Sequence, residues 1–354
     1  MLASDSSPRY PQHIDAIPYT DPPTKLQTLD IWLPRPQSKS PPSSTIWIIY
    51  IHGGAWRDPL QNSATIHPTI HHLSHSTHPT ALRHIAGIAS LNYRLSPYPL
   101  HPTHPSSPDD ESRNVRHPSH VQDVALALKW LRREYGIGVG GGDGDGDGER
   151  QGYKWIGIGH SCGSTLLLQL FSRIGVSPQD LYLSRPAALV LLAGIYNIPL
   201  LVQNHSTPKT PKNIAEIYKD IVTGAFGPDV RVWEGASPTS HAHSFGDEGW
   251  GNGRLLLLCW SPEDGLVEGE QMERMSRTLL AAGWKDQSGD NSMLENQNDM
   301  EGGDRKKIFE CRKLEGAHDE VWQEGGQIVQ LIEEVVGRMH GSGGLGTTEY
   351  WPLR

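Results

Sequence analysis

The sequence predicts an α/β fold with a mostly parallel central sheet, helices on both faces and a small cap insertion. Strand-like and helix-like segments alternate along most of the chain, which is the arrangement of parallel strands joined by helical crossovers. Residues 48–51 form a continuous apolar run, as in a strand buried on both faces. Residues 121–135 carry apolar side chains at spacings of three and four, which indicates an amphipathic helix.

The predicted elements follow one another in a regular order. Short apolar runs predict the strands, and apolar residues at helical spacing predict the helices. The strand before the motif at 159–163 leads directly into an apolar helix. Strands are predicted over residues 29–33, 45–51, 84–93, 153–159, 187–193, 254–260 and 307–312. Helices are predicted over residues 121–135, 164–174, 270–282 and 320–339.

A single domain is predicted over residues 28–340, after an N-terminal extension at 1–27 and before a C-terminal tail at 341–354. Residues 197–250 contain helical patches without a clear strand and lie between two predicted strands, so we expect them to form a cap over the site. Three stretches without apolar periodicity are predicted as low-complexity loops: residues 67–120, 136–152 and 286–305.

The composition excludes several classes of protein. The 31 Lys and Arg residues against 40 Asp and Glu give a net charge of -9, which argues against a nucleic-acid partner. The apolar runs at 187–195 and 255–260 are too short to span a bilayer, so no membrane association is expected. The N-terminus lacks the pattern of a secretory signal. The three cysteines lie in apolar segments, which predicts free thiols and a cytoplasmic location.

The strongest chemical signal is Gly159-His160-Ser161-Cys162-Gly163, between a predicted strand and a predicted helix. This is the G-x-S-x-G pattern in the context that a nucleophilic serine requires. Glycines flank the serine because side chains there would collide with neighbouring backbone in the sharp turn. We therefore predict Ser161 as the nucleophile, against the alternative of an ordinary strand-to-helix turn.

A second glycine-rich motif follows the buried strand at 45–51, and it reads His52-Gly53-Gly54-Ala55-Trp56. Acyl transfer develops negative charge on a carbonyl oxygen, and preorganised backbone N–H groups stabilise that charge. We expect the N–H groups of Gly54, Ala55 and Cys162 to form this oxyanion hole, with Gly53 shaping the turn.

A nucleophilic serine needs a base, and the base needs an acid that fixes its tautomer. In this fold class the acid and then the histidine follow the serine along the chain. Asp264 follows the strand at 254–260, at the sheet edge where ligands bind, and Glu263 is the alternative acid. His318 follows the next strand, and His340 is the other histidine beyond Asp264.

No cofactor and no metal are predicted. The segment at 67–78 is rich in histidine, but Pro, Ser and Thr interrupt it without the fixed spacing of metal ligands. Asp143, Asp145 and Asp147 imitate the start of a calcium loop, but Lys154 stands where the closing glutamate is required. Cys162, beside the nucleophile, is interpreted as a small packing side chain.

Together with Asn92-Tyr93-Arg94-Leu95-Ser96-Pro97, these motifs resemble the hormone-sensitive-lipase-like branch of the α/β-hydrolases, and within it the fungal kynurenine formamidases, or arylformamidases. The resemblance covers residues 28–337 apart from the insertions, which are longer than expected. Trp56 and the continuation Arg57-Asp58-Pro59 separate the chain from the general esterases.

The resemblance implies hydrolysis of N-formyl-L-kynurenine to L-kynurenine and formate, in tryptophan degradation through the kynurenine pathway. It also implies that Ser161, Asp264 and His318 form the triad. Trp56 is expected either to line the leaving-group pocket or to pack in the core. Two other functions stay open: a broad carboxylesterase with the same triad, and a non-catalytic binding protein. The sequence is compatible with a monomer and with a homodimer.

Overall fold

The fold is described from a computed structural model, which covers residues 9–75, 80–138, 152–177, 185–246, 250, 254–289 and 307–340. Within these ranges, no helix is both long enough and apolar enough to cross a membrane.

In the part of the chain that the structure describes, the sheet has nine strands in the order β1-β2-β4-β3-β5-β6-β7-β9-β8. Strand β2 pairs antiparallel with β1 and β4, and the remaining neighbours pair in parallel. This mostly parallel sheet confirms the predicted fold class. The strands are β1 Gln12–Pro18, β2 Thr28–Leu33, β3 Ile46–Ile51, β4 Ile85–Leu91, β5 Lys154–His160, β6 Ala188–Leu192, β7 Leu255–Trp260, β8 Lys285–Asp286 and β9 Ile308–Lys313.

Helices cover both faces of the sheet, as alternating residues of β3 demonstrate. Trp47 and Ile49 pack into one apolar core, and Ile46 and Ile48 pack into the other. Successive strand side chains point to opposite faces, so a central strand needs apolar residues at every position. The helices are α1 His67–His75, α2 Thr80–His84, α3 Ser119–Tyr135, α4 Cys162–Phe171, α5 Ile198–Asn204, α6 Lys212–Phe226, α7 Val230–Ala236, α8 Glu270–Ala281, α9 Glu320–Glu324 and α10 Gly326–Met339.

Three sequence-based expectations differ from the structure. The extension predicted at 1–27 contributes β1, an edge strand paired with β2. The loop predicted at 67–120 contains α1 and α2 beside β4. The single helix predicted at 320–339 is broken into α9 and α10 at Gly325, which has φ 74°. An added Cβ at Gly325 would lie 2.5 Å from Thr69 N, so the close approach of α1 requires glycine at the break.

The segment predicted as a cap contains α5, α6 and α7 and several 3₁₀ turns. It connects β6 to β7, so it inserts at the carboxyl edge of the sheet, where ligands bind in this type of fold. Most of the loops predicted at 136–152 and 286–305, and the tail at 341–354, lie outside the described residues.

Candidate active site

The nucleophile motif forms a sharp turn between β5 and α4. Ser161 has φ 53° and ψ -123°, a conformation that costs a non-glycine residue free energy. The flanking glycines are needed because a Cβ at Gly159 would lie 2.6 Å from Ser164 N, and one at Gly163 would lie 2.2 Å from Ile51 O. The Ser161 N–H donates to Leu192 O at 2.8 Å, which ties the turn to β6. The surrounding sheet therefore holds the serine in a strained position.

The loop after β3 carries a second concentration of strain. Gly54, Ala55 and Trp56 have successive φ values of 95°, 50° and 60°, and two of these residues are not glycine. A Cβ added at Gly53 would lie 3.0 Å from Ser161 Cβ, so this loop packs directly against the nucleophile turn. Backbone amides in such a close, strained loop are suited to contact an atom bound at the serine.

Tyr93 supports this loop through hydrogen bonds to its backbone. From the sequence, Tyr93 was not identified as a functional residue. Its hydroxyl donates to the carbonyl oxygens of His52 and Gly53, at 3.1 and 3.0 Å. The His52 and Tyr93 rings stack with centroids 4.5 Å apart. Burial lowers the pKa of His52 to about 4, so this imidazole is neutral and acts in packing. The one sequence signal for Tyr93 was its place in the segment 92–97, which contributes to the family resemblance.

Cys162 lies beneath the loop as a neutral thiol. Burial raises its pKa to about 11, although the Tyr93 hydroxyl and the amides of Trp56 and Ala55 oppose that effect. The Trp56 N–H donates to Cys162 Sγ at 3.3 Å. A thiol protonated at neutral pH is a poor nucleophile, which agrees with the packing interpretation.

Trp56 is fully buried, and its ring meets Phe226 of α6 edge to face at 5.0 Å. The structure therefore favours core packing for this side chain over direct lining of a pocket. Its packing links the glycine-rich loop to the cap.

Asp264 and His318 lie together at the carboxyl ends of β7 and β9. The His318 Nδ1–H donates to Asp264 Oδ2 at 2.7 Å, and the two side chains are 7% and 1% exposed. Asp264 Oδ1 accepts the N–H groups of Leu266 and Val267, at 2.8 and 2.9 Å. These contacts fix the carboxylate and leave His318 Nε2 as the ring nitrogen that can exchange a proton.

The alternative acid has a different partner. Glu263 Oε2 accepts the Gly316 N–H at 3.0 Å, so this exposed carboxylate ties the two loops together without touching the imidazole. Its neighbour Asp264 accepts from His318 instead, and the Asp264 N–H closes the turn after β7 by donating to Ser261 O at 3.1 Å.

His160, the residue before the nucleophile, makes a contact with the His318 loop that was not predicted from the sequence. It is fully buried, and its Nε2–H donates to the His318 carbonyl at 2.9 Å, across 158 residues of chain. Burial and the neighbouring His318 lower the pKa of His160 well below its ordinary value, so it stays neutral. This hydrogen bond fastens the loop that carries His318 to the strand that carries Ser161.

Among the described residues, no hydrogen bond joins the Ser161 hydroxyl to the His318 ring. Such catalytic contacts are often loose without substrate and tighten when it binds.

His160, His318 and Asp319 offer ligand atoms within 4.8 Å of one another. However, His318 Nδ1 and His160 Nε2 are occupied by the contacts described above. The arrangement is therefore suited to proton transfer and nucleophilic attack more than to holding a metal.

Helix α6 of the cap contacts both loops of the site. The Asp220 carboxylate accepts from Arg57 Nη1 at 2.5 Å, and the Arg57 guanidinium lies 4.0 Å from the Tyr98 ring centroid. At the other loop, the Tyr218 hydroxyl donates to Leu266 O at 2.8 Å. A movement of α6 would therefore change its contacts with the glycine-rich loop and with the loop that carries Asp264.

Several solved structures share this architecture. Esterase B from Lactobacillus rhamnosus matches with a TM-score of 0.55 at 14% identity, over 95% of this chain and 90% of that one. A hyperthermophilic esterase from Pyrobaculum calidifontis gives 0.54 at 15%, over 93% and 85%. A hormone-sensitive lipase from a metagenome library gives 0.51 at 15%, over 88% and 82%. Together with the sheet and the sharp turn at Ser161, these similarities show the α/β-hydrolase fold.

The relatives by sequence are more specific, although no family model matches the chain. The kynurenine formamidase-like hydrolase fscH of Fusarium equiseti is 30% identical over 329 residues, which is 92% of this chain and 95% of that protein. Kynurenine formamidase avaC of Aspergillus versicolor is 30% identical over 336 residues, 90% and 98% respectively. The chain therefore belongs to the kynurenine formamidase family and is a hydrolase of amide bonds.

Proposed function

We propose that this enzyme hydrolyses the formamide of N-formyl-L-kynurenine to L-kynurenine and formate in tryptophan degradation, with Ser161, His318 and Asp264 as its triad. The observation that carries the proposal is the 2.7 Å contact between His318 Nδ1 and Asp264 Oδ2 beside a strained serine. The names of the relatives supply the substrate class.

In the first half-reaction Ser161 Oγ attacks the formyl carbon while His318 Nε2 takes the hydroxyl proton. The amides of Gly54, Ala55 and Cys162 stabilise the resulting oxyanion. His318 then returns the proton to the aniline nitrogen, so the C–N bond breaks and L-kynurenine leaves. Asp264 stabilises the imidazolium throughout.

In the second half-reaction water attacks the formyl-serine while His318 takes a proton from it. His318 then returns this proton to Ser161 Oγ, the acyl C–O bond breaks, and formate is released. The proposed chemistry needs no cofactor, because His318 accepts and returns each proton that is transferred. Formyl is the smallest acyl group, so a narrow space between Ser161 and the glycine-rich loop is sufficient. Gly53 packs directly against the nucleophile, because an added Cβ there would lie 3.0 Å from Ser161 Cβ, so the glycine-rich loop lies close to the serine.

A carboxylesterase with the same triad is the second candidate, favoured by the esterase neighbours of the fold. The two functions differ in acyl-group size. Comparison of kcat/KM for formyl, acetyl and butyryl amides of kynurenine tests the difference. A formamidase should lose activity steeply as carbons are added to the acyl group.

The leaving group provides a second comparison, with formanilide in place of N-formylkynurenine. If the amino-acid arm helps to orient the formyl carbon, its removal should lower kcat as well as raise KM. Equal kcat/KM across the acyl series, or preference for butyryl esters, would favour the carboxylesterase and contradict the formamidase proposal.

A further inference from the structure

Three side chains of the types that bind metals converge at the β1 edge of the sheet, away from the strand that carries the nucleophile. They are His13 of β1, Asp30 of β2 and His67 at the start of α1, and their ligand atoms all lie within 4.8 Å of one another. The imidazoles of His13 and His67 are 5.0 Å apart at 85°. Strands β2, β4 and β3 lie between β1 and β5, so four inter-strand spacings of ~4.8 Å, about 19 Å in all, separate the two strands. The cluster is therefore distinct from the active site.

A β-bulge builds the cluster. The pairing of β1 with β2 is irregular between Ile14 and Ile17, where Ala16 has φ 52°. The Ala16 N–H donates to Asp30 Oδ1 at 2.8 Å, and Asp30 is only 9% exposed. Bulges redirect side chains and are over-represented at functional positions. Here the strained residue is held by the same carboxylate that belongs to the cluster, so the position of that carboxylate is fixed by the backbone.

The charges around the two imidazoles suit a cation. His13 Nε2 lies 3.0 Å from Asp15 Oδ1, which orients the ring as carboxylates orient metal-bound histidines and leaves Nδ1 available. Asp15 and Asp30 provide the negative charge that a divalent cation would balance.

We propose that His13, Asp30 and His67 bind one Zn²⁺ ion and thereby fasten the N-terminal edge strand to α1. Two imidazole nitrogens and one carboxylate oxygen are a ligand set that zinc accepts, with water as the fourth ligand. Zinc ligands at about 2.0–2.1 Å lie about 3.4 Å from one another, so the side chains need to close by about 1.4 Å at most. Exposed His13 and His67 can make that adjustment by rotation.

Calorimetric titration of EDTA-stripped protein, purified without a histidine tag, tests the site. We expect one Zn²⁺ per chain. Loss of a residue that only supports a ligand costs roughly 10–100-fold in affinity, so His13→Ala and His67→Ala should each weaken binding by about 100-fold or more. Zinc should raise the melting temperature of the wild type and leave that of His67→Ala unchanged. Both histidines are exposed, so neither variant should unfold the protein.

His71→Ala is the matched control, because His71 is the next exposed histidine of α1. His71 and His75 stack at 4.4 Å and could bind a metal by themselves as neighbours on one helix face. Unchanged zinc binding in His71→Ala is expected. Loss of binding in His71→Ala with retention in His67→Ala would overturn the proposal. So would the absence of stoichiometric binding at Zn²⁺ concentrations up to about 1 mM. Hydrolysis should be equal before and after EDTA treatment, because the site is remote from Ser161.

Discussion

Asp264→Asn tests the acid most directly, because the backbone decides which way the new amide points. Asp264 Oδ1 accepts two N–H groups, from Leu266 and Val267, and Oδ2 accepts the His318 Nδ1–H. In the variant the amide oxygen must take the Oδ1 position, since an NH₂ group there would face two donors. The NH₂ group then faces His318 Nδ1 and forces the proton onto Nε2, where the base is blocked.

The size of the effect follows from the cost of reversing the amide. A reversed amide leaves two backbone N–H groups without acceptors, at about 1–3 kcal/mol each, or about 2–6 kcal/mol in all. At about 1.4 kcal/mol per tenfold, the productive tautomer is disfavoured by roughly 30-fold to 10⁴-fold. Loss of the carboxylate's charge beside the imidazolium adds to this, so kcat should fall by about 10³–10⁴-fold.

Steady-state rates on N-formylkynurenine measure the loss, and the melting temperature should stay close to that of the wild type. Glu263→Gln is the matched control, since it makes the same chemical change one residue away. Within the described residues, the hydrogen bond to its carboxylate comes from the Gly316 N–H. We expect less than about a tenfold change there. A rate for Asp264→Asn within tenfold of wild type, or a larger loss in Glu263→Gln, would refute the reasoning.

Three further predictions concern the base, the supporting imidazole and acid stability. Ser161→Ala and His318→Ala should each reduce kcat by about 10³-fold or more with an intact fold, and near-normal turnover in either would contradict the triad. His160→Met, which removes the N–H donated to the His318 carbonyl, should lower kcat by ~100-fold with little change in KM, and His160→Gln should restore most of it; equal rates in the two variants would show that the hydrogen bond is unimportant. Burial lowers the pKa of His52 to about 4 and of His120 to about 3, whereas each titrates near 6.5 when unfolded. The free energy of unfolding should therefore be retained above pH 6.5 and fall by roughly 3 kcal/mol per imidazole by pH 4, because only the unfolded chain takes up these protons; urea titrations that show equal stability at pH 7 and 4.5 would contradict this.

The regular elements were predicted well where the local pattern is strong. Strand β3 was recognised because every residue is apolar, and α3 because its apolar residues repeat at helical spacing. Strand β1 was missed because it is an edge strand in which no residue is buried and polar and apolar residues are mixed, so that its pairing with β2 determines its structure. Helix α1 was missed because its histidines carry little helical signal, and its packing against α10 stabilises it.

For the candidate site, the types of residue needed and their order along the chain could be predicted from the sequence. A strained turn needs Gly159 and Gly163 whatever else the fold contains, and side chains that follow parallel strands gather at one edge of a sheet. Those rules are local or topological, so they can be applied without coordinates. The roles of Ser161, Asp264 and His318 remain predictions that rest on them.

Which atoms contact one another depends on the tertiary structure. It directed Asp264 and not Glu263 to His318, buried the Trp56 ring against α6, and joined His160 to a carbonyl 158 residues away. It also placed His67 beside His13 and Asp30 and not with the histidines next to it in the chain. Side-chain direction and long-range contact depend on how the whole chain packs, and neither leaves a periodic signal in the residues involved.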